Sequence, residues 1–176
     1  MNKMEAFLNR KRGMYMLSRY KNILVAVDGS KNAQLAFQQA VEIALEQEKA
    51  TLYVLEVVDN QTHFVAPPML NSQTQTYSPE AVEMFQEVVQ KEVEWVENEV
   101  HELVEEAKRK GVLNAVAVVT TGNHKHAIAH TIPTEKKIDL LIIGATGKGR
   151  IKSAILGTTT SYVVQHAPCN VLVVKE

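Results

Sequence analysis

The chain has 176 residues, 45% apolar and 22% charged, with a formal net charge of −1. That length is most simply one domain with a sizeable core, and so balanced a charge gives no reason to expect a nucleic-acid or bulk membrane partner. The single cysteine, Cys169, excludes an internal disulfide framework and suits a reducing compartment. No apolar run approaches the length needed to cross a bilayer, so a cytoplasmic protein is expected.

Residues 1–19 carry Arg10, Lys11, Arg12 and Arg19 among scattered Phe7, Leu8, Met14, Met16 and Leu17. A secretory signal needs a continuous apolar stretch, which this segment lacks, so export is not expected. It reads as a mobile N-terminal extension in preference to a basic amphipathic helix that docks on a partner or membrane. The domain proper is expected over 20–176. Lys21 to Val27 (KNILVAV) is the first strand, and Asp28-Gly29-Ser30 ends it with turn chemistry. Ser30 is placed to cap a helix whose apolar face carries Ala33, Phe37, Ala40, Val41 and Ala44, fading near Glu48. Thr51 to Val58 is the second strand. Asp28 falls at the carboxyl end of the first strand, the edge where open parallel sheets bind ligands. An acid there can accept hydrogen bonds from ribose hydroxyls or hold Mg through water. Capping the following turn is an equal alternative.

Asp59 to Ser78 is a long polar loop, and Ser78-Pro79-Glu80-Ala81 then starts a helix with Ser at N-cap and Pro at N1. The helix is expected to reach about Lys110, burying Val82, Phe85, Val89, Val93, Val96, Val100, Leu103 and Ala107, with Trp95 packed at the stripe's edge. Gly111 ends it. Asn114 to Thr121 is the third strand. His126 and His130 share a helix face at i, i+4, as zinc ligands can, but a solvated face is favoured because no Cys or carboxylate nearby in sequence completes a site. Pro133 should kink or split that helix.

Ile138 to Ile143 is a short apolar run of the kind buried on both sheet faces. Gly144, Gly147, Gly149 and Gly157 follow, then Thr158, Thr159, Thr160 and Ser161 open a helix running to His166. Strand, glycine-bearing connection and helix N-terminus make an anion cradle, because glycines let backbone N–H groups approach and the helix start adds unpaired donors. Lys148, Arg150 and Lys152 add positive charge. A P-loop is ruled out, since Gly149 is followed by Arg150 and Ile151 and not by Lys and a hydroxyl. The dinucleotide fingerprint fails at Lys152. Pro168 stops the helix, and Asn170 to Val174 is the last strand. Cys169, just before it, reads as a buried inert thiol. Five strands alternating with helices predict an α/β fold with a parallel sheet and right-handed crossovers.

The spacing Gly144-x2-Gly147-x9-Gly157-Thr158, with the turn Val27-Asp28-Gly29-Ser30, resembles the ATP-binding branch of the universal stress protein family. The resemblance covers about Tyr20 to Glu176. It implies one doubly wound open sheet of five parallel strands in order 3-2-1-4-5, helices on both faces, and a homodimer paired through the C-terminal strand. It implies ATP or AMP as ligand, with Ala26, Val27 and Asp28 beside adenine and ribose and Val57 lining the adenine pocket. Ile143 and Gly144 would close over the sugar; Thr146, Gly147, Gly157, Thr158 and Thr159 would hold the phosphates. Thr146 stands where many members have a basic residue, so Lys148 or Arg150 would supply that charge, and Asp28 is the one candidate for Mg. The function expected is a nucleotide-binding stress-response regulator with slow or no hydrolysis, its main-chain amides around Gly144 and Gly157 gripping a polyanion. The alternatives are an ATP-hydrolysing or phosphoryl-transferring enzyme, for which the loop offers no acid or glutamine to orient a nucleophile, and a nucleotide-free dimeric scaffold.

Overall fold

A computed structural model describes residues 20–47, 49–58, 79–148 and 156–176, and their side chains except at 79–81 and 85. The extension 1–19, the loop 59–78, and Gly149, Arg150 and Lys152 of the glycine connection lie outside the described residues. The strands are β1 (Asn22–Ala26), β2 (Thr51–Val58), β3 (Asn114–Thr121), β4 (Leu140–Gly144) and β5 (Asn170–Val174). They form one sheet in the order β3-β2-β1-β4-β5, every neighbouring pair parallel, which is the expected architecture. Ala26, the last residue of β1, is in register with Leu55 on one side and Ile143 on the other, so β4 runs one residue and β2 three residues beyond the end of β1.

Period-two alternation feeds two cores. Ile23, Val25 and Val27 join Leu140 and Ile142 beneath helices α1 (Lys31–Leu45) and α2 (Pro79–Arg109). Leu24, Ala26, Leu141 and Ile143 pack on the opposite face, against the helical run at 124–135 (α3) and α4 (Thr158–His166). Burial on both faces is why these strands read as near-continuous apolar runs. Ser30 caps α1 as expected, its hydroxyl oxygen accepting the Ala33 N–H at 3.2 Å.

Two helices differ from expectation. In α2 the buried stripe begins at Val96 and continues through Val100, Val104 and Ala107, whereas Val82 is 42% exposed and Trp95 56% exposed. The reason is length: 31 residues of helix run about 46 Å, while an eight-residue strand covers about 26 Å. The first half of the helix therefore outruns the sheet that would bury it. At its other end Gly111 (φ 108°) closes a Schellman turn, with Gly111 N–H on Lys108 O and Val112 N–H on Ala107 O. Pro133 does not break α3. The run passes from an α turn (His124–His126) through a π turn (Ala127–Thr131) into Ile132–Glu135, with the Ile132 N–H reaching back to Ala127 O. Proline has no N–H for the carbonyl four residues earlier, and the wider turn absorbs that mismatch.

Candidate functional site

The carboxyl ends of β1, β2 and β4 and the start of α4 surround a cavity of about 520 Å³. Its walls include Ala26, Val27, Asp28, Val57, Ile143, Gly144, Thr146, Gly147, Lys148, Gly157, Thr158 and Thr159. These come from four separate stretches of chain, and the parallel order β2-β1-β4 is what collects them. One part of the wall is apolar, with Val57, Ile128 and Ile143; another carries Thr146, Lys148, Thr158 and Thr159.

Asp28 is a fastener in this arrangement. Its Oδ1 accepts the Ser30 N–H at 2.9 Å, the turn cap considered from sequence, and its Oδ2 accepts the Lys148 N–H at 3.2 Å. A Cβ on Gly147 would lie 2.5 Å from Asp28 Oδ2, so only glycine lets the connection pass over this carboxylate. Gly144 is glycine for a different reason. Its Cβ would lie 2.8 Å from the Asn32 carbonyl carbon and 3.0 Å from the Ala33 nitrogen, where the first turn of α1 crosses β4. The Gly144 carbonyl accepts the buried Thr160 hydroxyl at 2.8 Å, which ties α4 to the end of β4. Thr146 is buried, and its Oγ1 accepts from Asn32 Nδ2 at 2.7 Å.

Two of the amides around Gly144 and Gly157 that were expected to grip a polyanion are instead paired within the protein. The Gly157 N–H donates to Ala145 O at 2.8 Å, and the Ala145 N–H to Val174 O at 2.7 Å, because the connection must satisfy its own buried backbone where it leaves the sheet. The remaining donors are those of α4. The N–H groups of Thr158 and Thr159 precede any acceptor within the helix and have no partner among the described residues. Gly157, by contrast, has φ −59°, and a Cβ there would meet no described atom closer than 3.4 Å. The described packing therefore does not exclude a side chain at Gly157.

Glu56 was not anticipated. It lines the same cavity from β2, on the face shared with Val54 and Val58. Burial pushes its carboxyl up to about 7; Lys148 pulls the other way, and Glu99, Asp28 and Glu92 add to the rise. The signal in the sequence was a lone charge inside the apolar strand TLYVLEVV. His124, from the start of α3, also lines the cavity.

His126, His130 and His166 are not among the residues lining this cavity. His130 packs between His126, at 5.0 Å between ring centroids, and Tyr162 and His166, each at 6.0 Å, and its Nε2 lies 3.3 Å from the Tyr162 hydroxyl. The face is a packed aromatic seam between α3 and α4 and not merely a solvated one. Among the described residues no group of three or more His, Cys, Asp or Glu is arranged to hold a metal ion. Cys169 is half-buried, and its thiol is pushed up by burial first and by Asp139 second, as suits an inert thiol. No helix among the described residues is long and apolar enough to cross a membrane.

Sheet order, the crevice at the strand reversal and the glycine connection together define a doubly wound α/β domain with a crevice at its switch point. The universal stress protein family model matches residues 19–175, and the chain belongs to that family. A Staphylococcus haemolyticus protein carrying the universal stress protein name is 31% identical over 159 residues, covering 89% of this chain and 85% of its own. The solved structure of universal stress protein UspA from Lactobacillus plantarum is 33% identical with a TM-score of 0.72, covering 89% of this chain and 99% of that one. A universal stress protein solved in complex with cAMP is 21% identical with a TM-score of 0.55, over 88% of this chain and 96% of that one, and shares the fold.

Proposed function

We propose that the crevice binds an adenine nucleotide, ATP or AMP, and that the protein is a cytoplasmic stress-response regulator working as a homodimer. The observation that carries this reading is the polarity of the cavity. A wall of Val57, Ile128 and Ile143 suits a flat apolar base, and the free first turn of α4, with Lys148, suits phosphates. Gly157 supports it, because a glycine that the protein's own packing does not require lines the phosphate end. Asp28 and Val27 would meet the ribose, Thr146 and Gly147 the phosphates, and Mg would enter through water on Asp28. β5 is an edge strand with Val171 to Val174 half-buried, an open pairing surface that a second copy would cover. Residues 1–19 would be an extension outside the nucleotide domain.

Slow hydrolysis at most is expected, since both Asp28 oxygens accept backbone N–H groups and the described part of the connection carries no acid or glutamine to orient a water. Turnover of about 1 per second or faster would favour the enzyme reading. The test is a mass spectrum of small molecules released on denaturing freshly purified protein. An adenine nucleotide near one per chain is the expected result, and Gly157→Asp should abolish its retention in a folded protein. An empty wild-type protein that also fails to take up added ATP would leave only the scaffold.

A further inference from the structure

On the reading that the crevice takes a nucleotide, we propose that binding its phosphates is coupled to the uptake of one proton by Glu56. Glu56 stands on the wall between two cavities. One is the crevice; the other, about 370 Å³, lies between α1 and α2, and among the described residues Glu56 is the one ionisable residue lining both. The groups around it are mostly of its own sign. Asp28 approaches from the end of β1, and Glu92 and Glu99 from α2. Farther along the cleft α2 adds Glu102, Glu106 and Arg109, while α1 contributes only uncharged Ser30, Ala33, Gln34 and Phe37. His124 of α3 lines the crevice too. Lys148 is the cation that favours the ionised form of Glu56, and it stands on the phosphate-side connection.

A phosphate-bearing ligand changes three things here, all in one direction. It brings negative charge into a cavity that Glu56 lines. It draws the Lys148 ammonium toward itself and away from the carboxylate. It also covers Glu56 from water. Each favours the protonated carboxyl in the complex over that in the free protein. Free Glu56 titrates near 7, so the coupling falls in the physiological range. The sign follows: the complex holds its proton to higher pH, so affinity is greatest below the free value and declines as pH rises through it. It levels off above the bound value, and a bound value one pH unit higher gives about a tenfold loss of affinity.

The experiment is calorimetric titration of the full-length protein with ATP at pH 6, 7 and 8, in buffers of different ionisation enthalpy, beside Glu56→Gln. The terminal phosphate of ATP titrates in the same range and contributes to both proteins, so the difference between them isolates Glu56. Wild type should take up a larger fraction of a proton at pH 7 than the variant and, for a bound value one pH unit higher, lose about fivefold more affinity between pH 6 and pH 8. Equal proton counts and parallel affinity profiles would overturn the proposal and leave nucleotide binding standing. No binding by either protein would overturn both. Should Glu56→Gln not fold, the carboxyl carbon of Glu56 can be followed by NMR in wild type. Its titration midpoint should move up on saturation with ATP, and an unmoved midpoint overturns the coupling.

Discussion

Gly144 and Gly157 stand at the two ends of one connection, and they are glycine for different reasons. At Gly144 the protein itself forbids a side chain, because the backbone of Asn32 and Ala33 occupies the place a Cβ would take. At Gly157 the backbone is ordinary, and a Cβ would make only ordinary van der Waals contacts with described atoms, none closer than 3.4 Å. One end of the motif is thus a packing device that holds α1 against β4, and the other is free to face a ligand. A motif read as a single phosphate grip is two functions in sequence, and substitution should separate them.

The largest effect is expected at the β4 end. Gly144→Ala must push the first turn of α1 off the strand, an overpacking that costs toward the upper end of about 1–3 kcal/mol. Urea unfolding should show the loss whether or not nucleotide is present. A variant as stable as wild type would mean that the α1–β4 contact is looser than the 2.8 Å approach indicates.

That difference also marks how far the sequence could be read. β2, β3, β5 and α4 begin and end where their patterns predict, because alternation, caps and breakers are local signals. The twelve residues picked from the sequence come together on one cavity wall because they lie at or just beyond the ends of strands, or at the start of α4. What was not legible depends on neighbours distant in sequence. The clash of Gly144 with Asn32 spans more than a hundred residues, and so does the Lys148 N–H bond to Asp28. Trp95 looked like packing material because its helix pattern continues past the point where the sheet stops. Glu56 was passed over because a strand pattern shows which face a residue occupies but not which charges α2 will set against it.

The join between the two ends is the Thr160 hydroxyl on the Gly144 carbonyl, buried and donated at 2.8 Å. Thr160→Val keeps the shape and removes the donor, leaving a buried carbonyl without that partner at about 1–2 kcal/mol. The thermal midpoint should fall accordingly. No change would show that water replaces the hydroxyl and that α4 is held by apolar contacts alone.

Glu56 gives a pH-dependent effect of similar size. Its carboxyl rises from the usual 4.5 to about 7 on folding, so the native state binds a proton more tightly than the unfolded chain. Stability from this group is therefore undiminished below 4.5, declines as pH rises through that window, and stays low above 7. The full difference would exceed 3 kcal/mol, and solvent screening at a partly exposed site reduces it to about 1–2 kcal/mol. Glu56→Gln should be more stable than wild type by that amount at pH 8 and equal to it near pH 4.5, measured by denaturant midpoints across pH. A gain that is the same at both pH values would assign the effect to packing.

The smallest stability effect belongs to Gly157→Ala, and it is the sharpest test of the contrast with Gly144. At φ −59° and ψ 155° alanine is unstrained, and the loss of glycine's freedom in the unfolded chain stabilises by about 0.4–1 kcal/mol. Gly157 is also the N-cap of α4, where alanine is poorer than glycine by about the same amount. The two terms nearly cancel, so unfolding midpoints should be within about 0.5 kcal/mol of wild type. Nucleotide retention should nonetheless fall several-fold, because the methyl group stands where a phosphate must approach the first turn of α4. Stability and binding would then move independently at one end of the connection and together at the other. If Gly157→Ala retains nucleotide as wild type does, the phosphates do not sit at this helix start.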